Sequence, residues 1–273
     1  MKLNVIGLGK ISSKIAKQLY DPDDCFLTEI STNICSSNVI EDNEQQYDKF
    51  KKNIEIHNID EISETYIFVD GKQGISGITL SILENYKDKK ITVFYIKSYC
   101  SNDIEFKNSH ITINILQEYA RSGMFAAIFL IDYDYVTNYI VNEIPDDNII
   151  GFSEIENLFI DKLLFGVYIY HRLCNESYLD GEKINFEDTI YRTKTFFDIK
   201  GDSVEPYYNL QYSDNLIFVK GVRNQITKKE IIELQNFKNK IRKENNICVF
   251  LDSDKEFSIG ISESKIIQES NYI

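Results

Sequence analysis

Two short loops carry the residues best suited to chemistry. Gly7-Leu8-Gly9-Lys10-Ile11-Ser12 follows the apolar run Leu3 to Ile6 and opens a pattern of Ile11, Ile15 and Leu19 at four-residue spacing. That order reads as strand, tight turn, helix. Glycine at such a turn lets the chain approach a phosphate while the first helix amides point at it. The same glycines also serve simply to turn the chain, and Ser12 departs from the third glycine or alanine of the dinucleotide fingerprint. The run Cys25 to Ser31 reads as a second strand, on which Glu29 is available to a ribose hydroxyl.

The second loop, Asp70-Gly71-Lys72-Gln73-Gly74-Ile75-Ser76-Gly77, lies between the β-rich run Thr65 to Val69 and a helical pattern through Ile78, Ile82 and Leu83. Two such loops on neighbouring strands can hold the phosphates of one nucleoside triphosphate from two sides. Lys72 comes too early for the G-x-x-x-x-G-K-[ST] order and reads as an exposed loop lysine.

These loops need a sheet behind them, and the remaining pattern supplies one. Ile91 to Ile96 is strand-like; Lys107 to Arg121 is helical and stops at Ser122-Gly123; Phe125 to Ile131 is strand-like again. Alternation of this kind implies an α/β fold, a parallel sheet covered on both faces. Pro145 and Gly151 precede a long apolar helix from about Ser153 to Arg172, roughly 30 Å in length. After Asn175 come a polar loop, strands Thr193 to Ile199 and Leu216 to Lys220, a helix opened by the capping box Thr227-x-x-Glu230, and strands Ile247 to Leu251 and Phe257 to Ser262. The expected division is a nucleotide-binding domain, 1–173, that includes the central helix, and a smaller α/β domain, 174–273. The stretch Thr32 to Asp60 yields only a short helix around Glu44 to Lys52.

Composition narrows the partners. Hydrophobic residues are 43% of the 273 and charged residues 27%, as in ordinary globular domains. A net charge of -13 disfavours nucleic acid and anionic membrane surfaces, since no basic excess exists to release counterions. Five cysteines at irregular spacing, without C-x-x-C and with only three histidines, argue for free thiols and against a zinc site. No signal-peptide pattern precedes Leu3, and the longest apolar stretch, Leu163 to Tyr170, is far short of a membrane span. The expected location is the cytoplasm.

Phe68-Val69-Asp70-Gly71-Lys72-Gln73-Gly74-Ile75-Ser76-Gly77, with Ile82-Leu83 and Val93-Phe94-Tyr95-Ile96 after it, resembles the signature loop of the tubulin/FtsZ superfamily, G-G-G-T-G-[TS]-G, and its flanking strand and helix. Gly71, Ser76 and Gly77 match; Lys72, Gln73, Gly74 and Ile75 do not. The first loop resembles the family's amino-terminal glycine loop, keeping Gly7 and Gly9 but carrying Ser12, Ser13 and Lys14 for the glycines and asparagine. Phe152-Ser153-Glu154-Ile155-Glu156-Asn157 resembles the start of the family's core helix, where an aromatic stacks on guanine and an Asp/Asn pair reads its edge. Asn157 offers the donor and acceptor that a guanine edge needs. Equally, Ser153-x-x-Glu156 is a capping box and Asn157 a surface amide. Ile184-Asn185-Phe186-Glu187, followed by Asp188, is similar to the I-N-L-D loop that completes GTP hydrolysis on the neighbouring subunit, although Ile190 stands at the second acid's usual place. The helix that follows that loop in the family is missing, because the run from Thr193 begins almost at once. Asn215 to Ser262 is similar in order to the second domain of FtsZ.

The resemblance implies a GTP- or GDP-binding protein that polymerises with copies of itself. Phosphates would rest on Gly7, Gly9, Gly71, Ser76 and Gly77, and the base on Phe152 and Asn157. Hydrolysis would need magnesium to offset phosphate charge and Glu187 or Asp188 to orient water in the next subunit's site. Two other readings stay open: a degenerate scaffold that assembles without turnover, and a Rossmann-type NAD(P) oxidoreductase using Gly7, Gly9 and Glu29. Against the last stand the second glycine loop and the absence of a placed catalytic histidine or lysine.

Overall fold

The structure, a computed structural model, describes residues 2–21, 34–40, 64–72, 90–145, 148–175, 192–200, 203–223, 226–244, 246–254 and 256–268. In chain order the strands are β1 (Leu3–Leu8), β2 (Ile34–Ile40), β3 (Glu64–Asp70), β4 (Lys90–Lys97), β5 (Ala127–Asp132), β6 (Thr193–Lys200), β7 (Ser203–Pro206), β8 (Asn215–Val222), β9 (Ile247–Asp252) and β10 (Ser258–Ser264). The helices are α1 (Lys10–Tyr20), α2 (Asp103–Arg121), α3 (Tyr133–Glu143), α4 (Phe152–Asn175) and α5 (Lys228–Lys243).

All ten described strands join one sheet in the order β2-β1-β3-β4-β5-β6-β10-β8-β9, with β7 alongside β6. The first six run parallel, and β10 is antiparallel to both of its neighbours. β3 and β4 read as near-continuous apolar runs because helices cover both faces. Leu3, Val5, Phe68, Phe94 and Ile96 face α1, α3 and α4, whereas Ile6, Leu8, Val69, Val93 and Tyr95 face α2. A smaller core of Phe197, Phe218, Val222, Ile241, Cys248 and Phe250 lies under α5.

From β3 onward, the expected strands and helices that fall within the described residues are present, within a few residues at each end, and the expected helix through Ile78, Ile82 and Leu83 lies outside those residues. Three elements were not foreseen: β2, α3 and β7. The expected strand at Cys25 to Ser31 and helix at Glu44 to Lys52 lie outside the described residues.

The sheet crosses from the first half to the second through a short parallel ladder, Ile128 beside Thr193 and Phe129 beside Lys194. Side chains reinforce this seam. Thr195 Oγ1 donates to the Leu130 carbonyl (2.7 Å), and the Arg192 guanidinium donates to the carbonyls of Phe125 (2.9 Å) and Ala126 (3.2 Å). On α2, Gln117 exchanges two hydrogen bonds with the backbone of Gln268, which is fully buried. Among the described residues no helix is long and apolar enough to cross a membrane.

Candidate functional site

The strand order reverses between β1 and β3: the chain passes from β1 outward to β2 and returns to lay β3 on the other side. Ligands of open α/β sheets bind outside the carboxyl ends of the strands at such a switch point. Leu8 is in register with Val69, so the turn at Gly9 and the turn at Gly71 leave neighbouring strands at that point.

Each glycine there answers a steric demand. Gly9 has φ 102°, a conformation that favours glycine, and its carbonyl accepts the first helical bond of α1 from Ser13 (2.8 Å). At Gly7 a Cβ would lie 2.5 Å from the Ser12 carbonyl oxygen and 2.9 Å from Ala16 Cβ, so α1 packs directly on the backbone of β1. At Gly71 a Cβ would lie 2.1 Å from the Tyr95 hydroxyl. Tyr95 is held beneath that turn by its hydroxyl, which donates to the Ser109 carbonyl (3.0 Å) and sits 2.7 Å from Ser109 Oγ on α2. Burial pushes the Tyr95 phenol well up, against the pull of the Ser109 hydrogen bond. Ser12, in the first turn of α1, is fully buried, and its hydroxyl has no hydrogen-bond partner among the described residues.

The carboxyl ends of β3, β4 and β5 add charge. Buried Asp70 accepts from Ser98 Oγ (3.2 Å). Asp132 caps α3 by accepting from the Tyr135 amide (3.1 Å) and pairs with Lys97 (2.9 Å). Burial, and then the neighbouring Asp132 charge, raise the Asp134 carboxyl. At the start of α2, Asn102 Oδ1 accepts from the amides of Ile104 and Glu105, both at 3.0 Å. Glu105 is held below the usual carboxylate range by hydrogen bonds from the Ser101 backbone and hydroxyl. Lys72, expected to be exposed, is half-buried.

α4 begins beside α1. Lys14 pairs with Glu156, and Gln18 Nε2 donates to Asp161 Oδ1 (2.9 Å). The expected capping box is corrected by two residues: α4 starts at Phe152, and the capping carboxylate is Glu154, whose Oε2 accepts from the Gly151 amide (2.8 Å). Glu156 is the ion-pair partner of α1 instead. Phe152 is 93% exposed, and Asn157 is exposed one and a half turns on. At its other end, α4 sets His171 Nδ1 2.9 Å from the hydroxyl of Tyr66, the third residue of β3. The helix therefore runs from the loop edge of the sheet to the opposite edge.

Of the sequence-derived site residues, Gly7, Gly9 and Gly71 meet at the switch point, and Phe152 and Asn157 stand on the helix that flanks α1. Ser76, Gly77, Glu187, Asp188 and Glu29 lie outside the described residues. Asp70, Asp132 and Asp134 were not singled out from sequence; an acid directly after an apolar strand run was the available signal. Among the described residues no group of three His, Cys, Asp or Glu side chains could hold a metal ion, and Cys100, Cys174 and Cys248 are free thiols.

Nearly the whole chain superposes on solved structures. A GTPγS-bound protofilament structure of CetZ2 from Haloferax volcanii matches with a TM-score of 0.63 at 12% identity, covering 96% of this chain and 92% of that one. CetZ from Methanosaeta thermophila matches at 0.60 and 11% identity over 99% and 87%. An FtsZ mutant from M. jannaschii matches at 0.62 and 11% identity over 96% and 90%. No protein-family model matches the chain, and no curated protein matches it in sequence.

Proposed function

We propose that this chain, whose fold is that of the tubulin/FtsZ superfamily, binds a guanine nucleotide at the switch point between β1 and β3 and polymerises with copies of itself in the cytoplasm. The observation that carries the proposal is the pair of glycine turns, at Gly9 and Gly71, leaving adjacent strands at the carboxyl edge of a doubly covered parallel sheet. Phosphates rest on Gly7, Gly9, Gly71, Ser76 and Gly77, and the first amides of α1 face them. The base stacks on Phe152, and Asn157 reads its edge. Support comes from the likeness to CetZ2, seen as a GTPγS-bound protofilament. The nucleotide unit is 1–173, and 174–273 forms the smaller unit.

Hydrolysis, on this reading, is shared between subunits. Glu187 and Asp188 follow α4, which at 24 residues is roughly 36 Å long and leads away from the loop edge. The acids of one subunit then serve the phosphates held by the next. The eroded second loop and Ile190 favour the alternative in which the polymer forms without turnover.

The test is a competition among GTP, ATP and NAD for the purified chain, with Gly77→Val as control. GTP preference that Gly77→Val abolishes supports the proposal. Preference for NAD overturns it. Where turnover is found, specific activity should rise with protein concentration; a value constant on dilution to monomers overturns the shared site.

A further inference from the structure

α5 seats lightly on the sheet. Of its 16 residues only Ile241 is buried, and Leu234 and Phe237 are half-buried. Ile231 is 42% exposed although it lies on the side of the helix that turns back toward β8 and β9. A cleft of about 300 Å³ remains there between helix and strands. Val222 of β8 and Phe250 of β9 form its floor, Ile226, Ile231 and Leu234 its walls, and Gln235 and Lys238 the end nearer the helix C-terminus. A smaller lobe of about 80 Å³ continues it past Val222, Ile226 and Leu234 to Lys220, Arg223 and Glu256. Apolar walls left facing water are a standing cost that the apolar part of a ligand recovers. The volume is at the low end of the range for small-molecule pockets, which suits one acyl chain better than a two-chain lipid.

Charge selects the sign of that ligand. The chain has a net charge of -13, yet α5 carries six cations against two acids. Both acids are already engaged at the start of the helix: Glu230 accepts from the Thr227 amide (2.5 Å) in the capping box, and Glu233 pairs with Lys229 (3.8 Å). Lys238, at the end of the cleft, is followed one turn later on the same face by Arg242. An ammonium and a guanidinium side by side can each donate to one oxygen of a carboxylate, and such charge-assisted bonds are the strong ones. Apolar walls that end in two cations are the complement of an apolar chain that ends in an anion.

We propose that the cleft between α5 and strands β8 and β9 binds an anionic amphiphile, a single acyl chain lying on Val222, Leu234 and Phe250 with its carboxylate at Lys238 and Arg242. The site is separate from the switch point between β1 and β3, and the inference stands independently of the nucleotide reading. It is tested by calorimetric titration of the full chain with decanoate, with decyltrimethylammonium as the cationic counterpart and with phosphatidylglycerol vesicles as the anionic surface. Decanoate should bind in a single saturable step, and decyltrimethylammonium about tenfold more weakly or not at all. Lys238→Glu should lose about tenfold or more in decanoate affinity, the scale of one lost charge-assisted hydrogen bond. Ile231→Glu, at a half-exposed position, should do the same with an unchanged urea midpoint. Decanoate uptake that does not saturate, equal binding of the two amphiphiles, or affinity indifferent to both substitutions would overturn the proposal. Binding to the vesicles without binding of decanoate would also overturn it, and would assign the basic face of α5 to a lipid surface.

Discussion

Gly7 and Gly71 are occupied by glycine because nothing larger fits. A methyl group at Gly7 would collide with the backbone of α1, and one at Gly71 with the Tyr95 ring. Neither obstacle is the far end of a flexible chain, so relief requires a shift of α1 or of the tyrosine. Gly7→Ala and Gly71→Ala should each cost about 1–3 kcal/mol in urea unfolding, the range for overpacking, and should weaken nucleotide binding by displacing the turns. Gly123 provides the control. Its φ of 83° strains any other residue, yet open space surrounds it, so Gly123→Ala should cost about 1–2 kcal/mol with nucleotide affinity unchanged. A Gly7→Ala protein as stable as wild type would mean that α1 does not seat on β1 as described. Both turns were legible in the sequence because glycine between a strand pattern and a helix pattern has few other uses. The capping carboxylate was not, since Glu154 takes the place of Glu156 when the cap moves from Ser153 to Gly151, and boundaries within two residues are beyond periodicity.

At the scale of elements, the first turns of α4 carry opposite demands on their two sides. Phe159, Leu163 and Val167 bury themselves against the sheet, whereas Phe152 projects into water and contributes little to folding. Phe152→Ala should leave stability within about 0.5 kcal/mol of wild type, as for surface positions, while lowering affinity for guanine nucleotide. Asn157→Ala should narrow the preference for GTP over ATP by about 1–3 kcal/mol, the cost of an unpaired buried polar group in the bound state. Unchanged nucleotide affinities in both variants would reduce the two residues to helix surface. The elements that escaped the sequence reading did so for identifiable reasons. β2 reads Ile34-Cys35-Ser36-Ser37-Asn38-Val39-Ile40, without apolar alternation, and is a strand through its pairing with β1. α3 is rich in tyrosine, valine and isoleucine, which favour strands locally; the Asp132 cap and the contact of Tyr133 with Phe159 on α4 override that preference. β7 has four residues and ends at Pro206, too short for any pattern to show.

For the molecule as a whole, β6 decides how the two halves hold together. It pairs with β5 on one side and β10 on the other, and there Lys194 faces Glu263 with both side chains buried as an ion pair. Burial lowers the Lys194 ammonium from its ordinary value, and Glu263 works against that shift. Lys194→Met alone strands a buried carboxylate and should cost about 3–5 kcal/mol, whereas Lys194→Met with Glu263→Leu should recover most of the loss. Equal destabilisation by the single and double variants, measured by urea titration, would show that the pair is not coupled. Apart from β7, the strands and helices of this half were legible in the sequence, but the seam with β5 was not, because pairing between segments more than sixty residues apart leaves no local pattern. The placement of β10 also has a consequence for synthesis. Among the described residues it is the last strand in chain order, yet it is the inner strand between β6 and β8. A nascent chain on the ribosome therefore exposes the apolar, unpaired edges of β6 and β8 until residues 258–264 emerge. During that interval the chain is most open to aggregation and most in need of a chaperone.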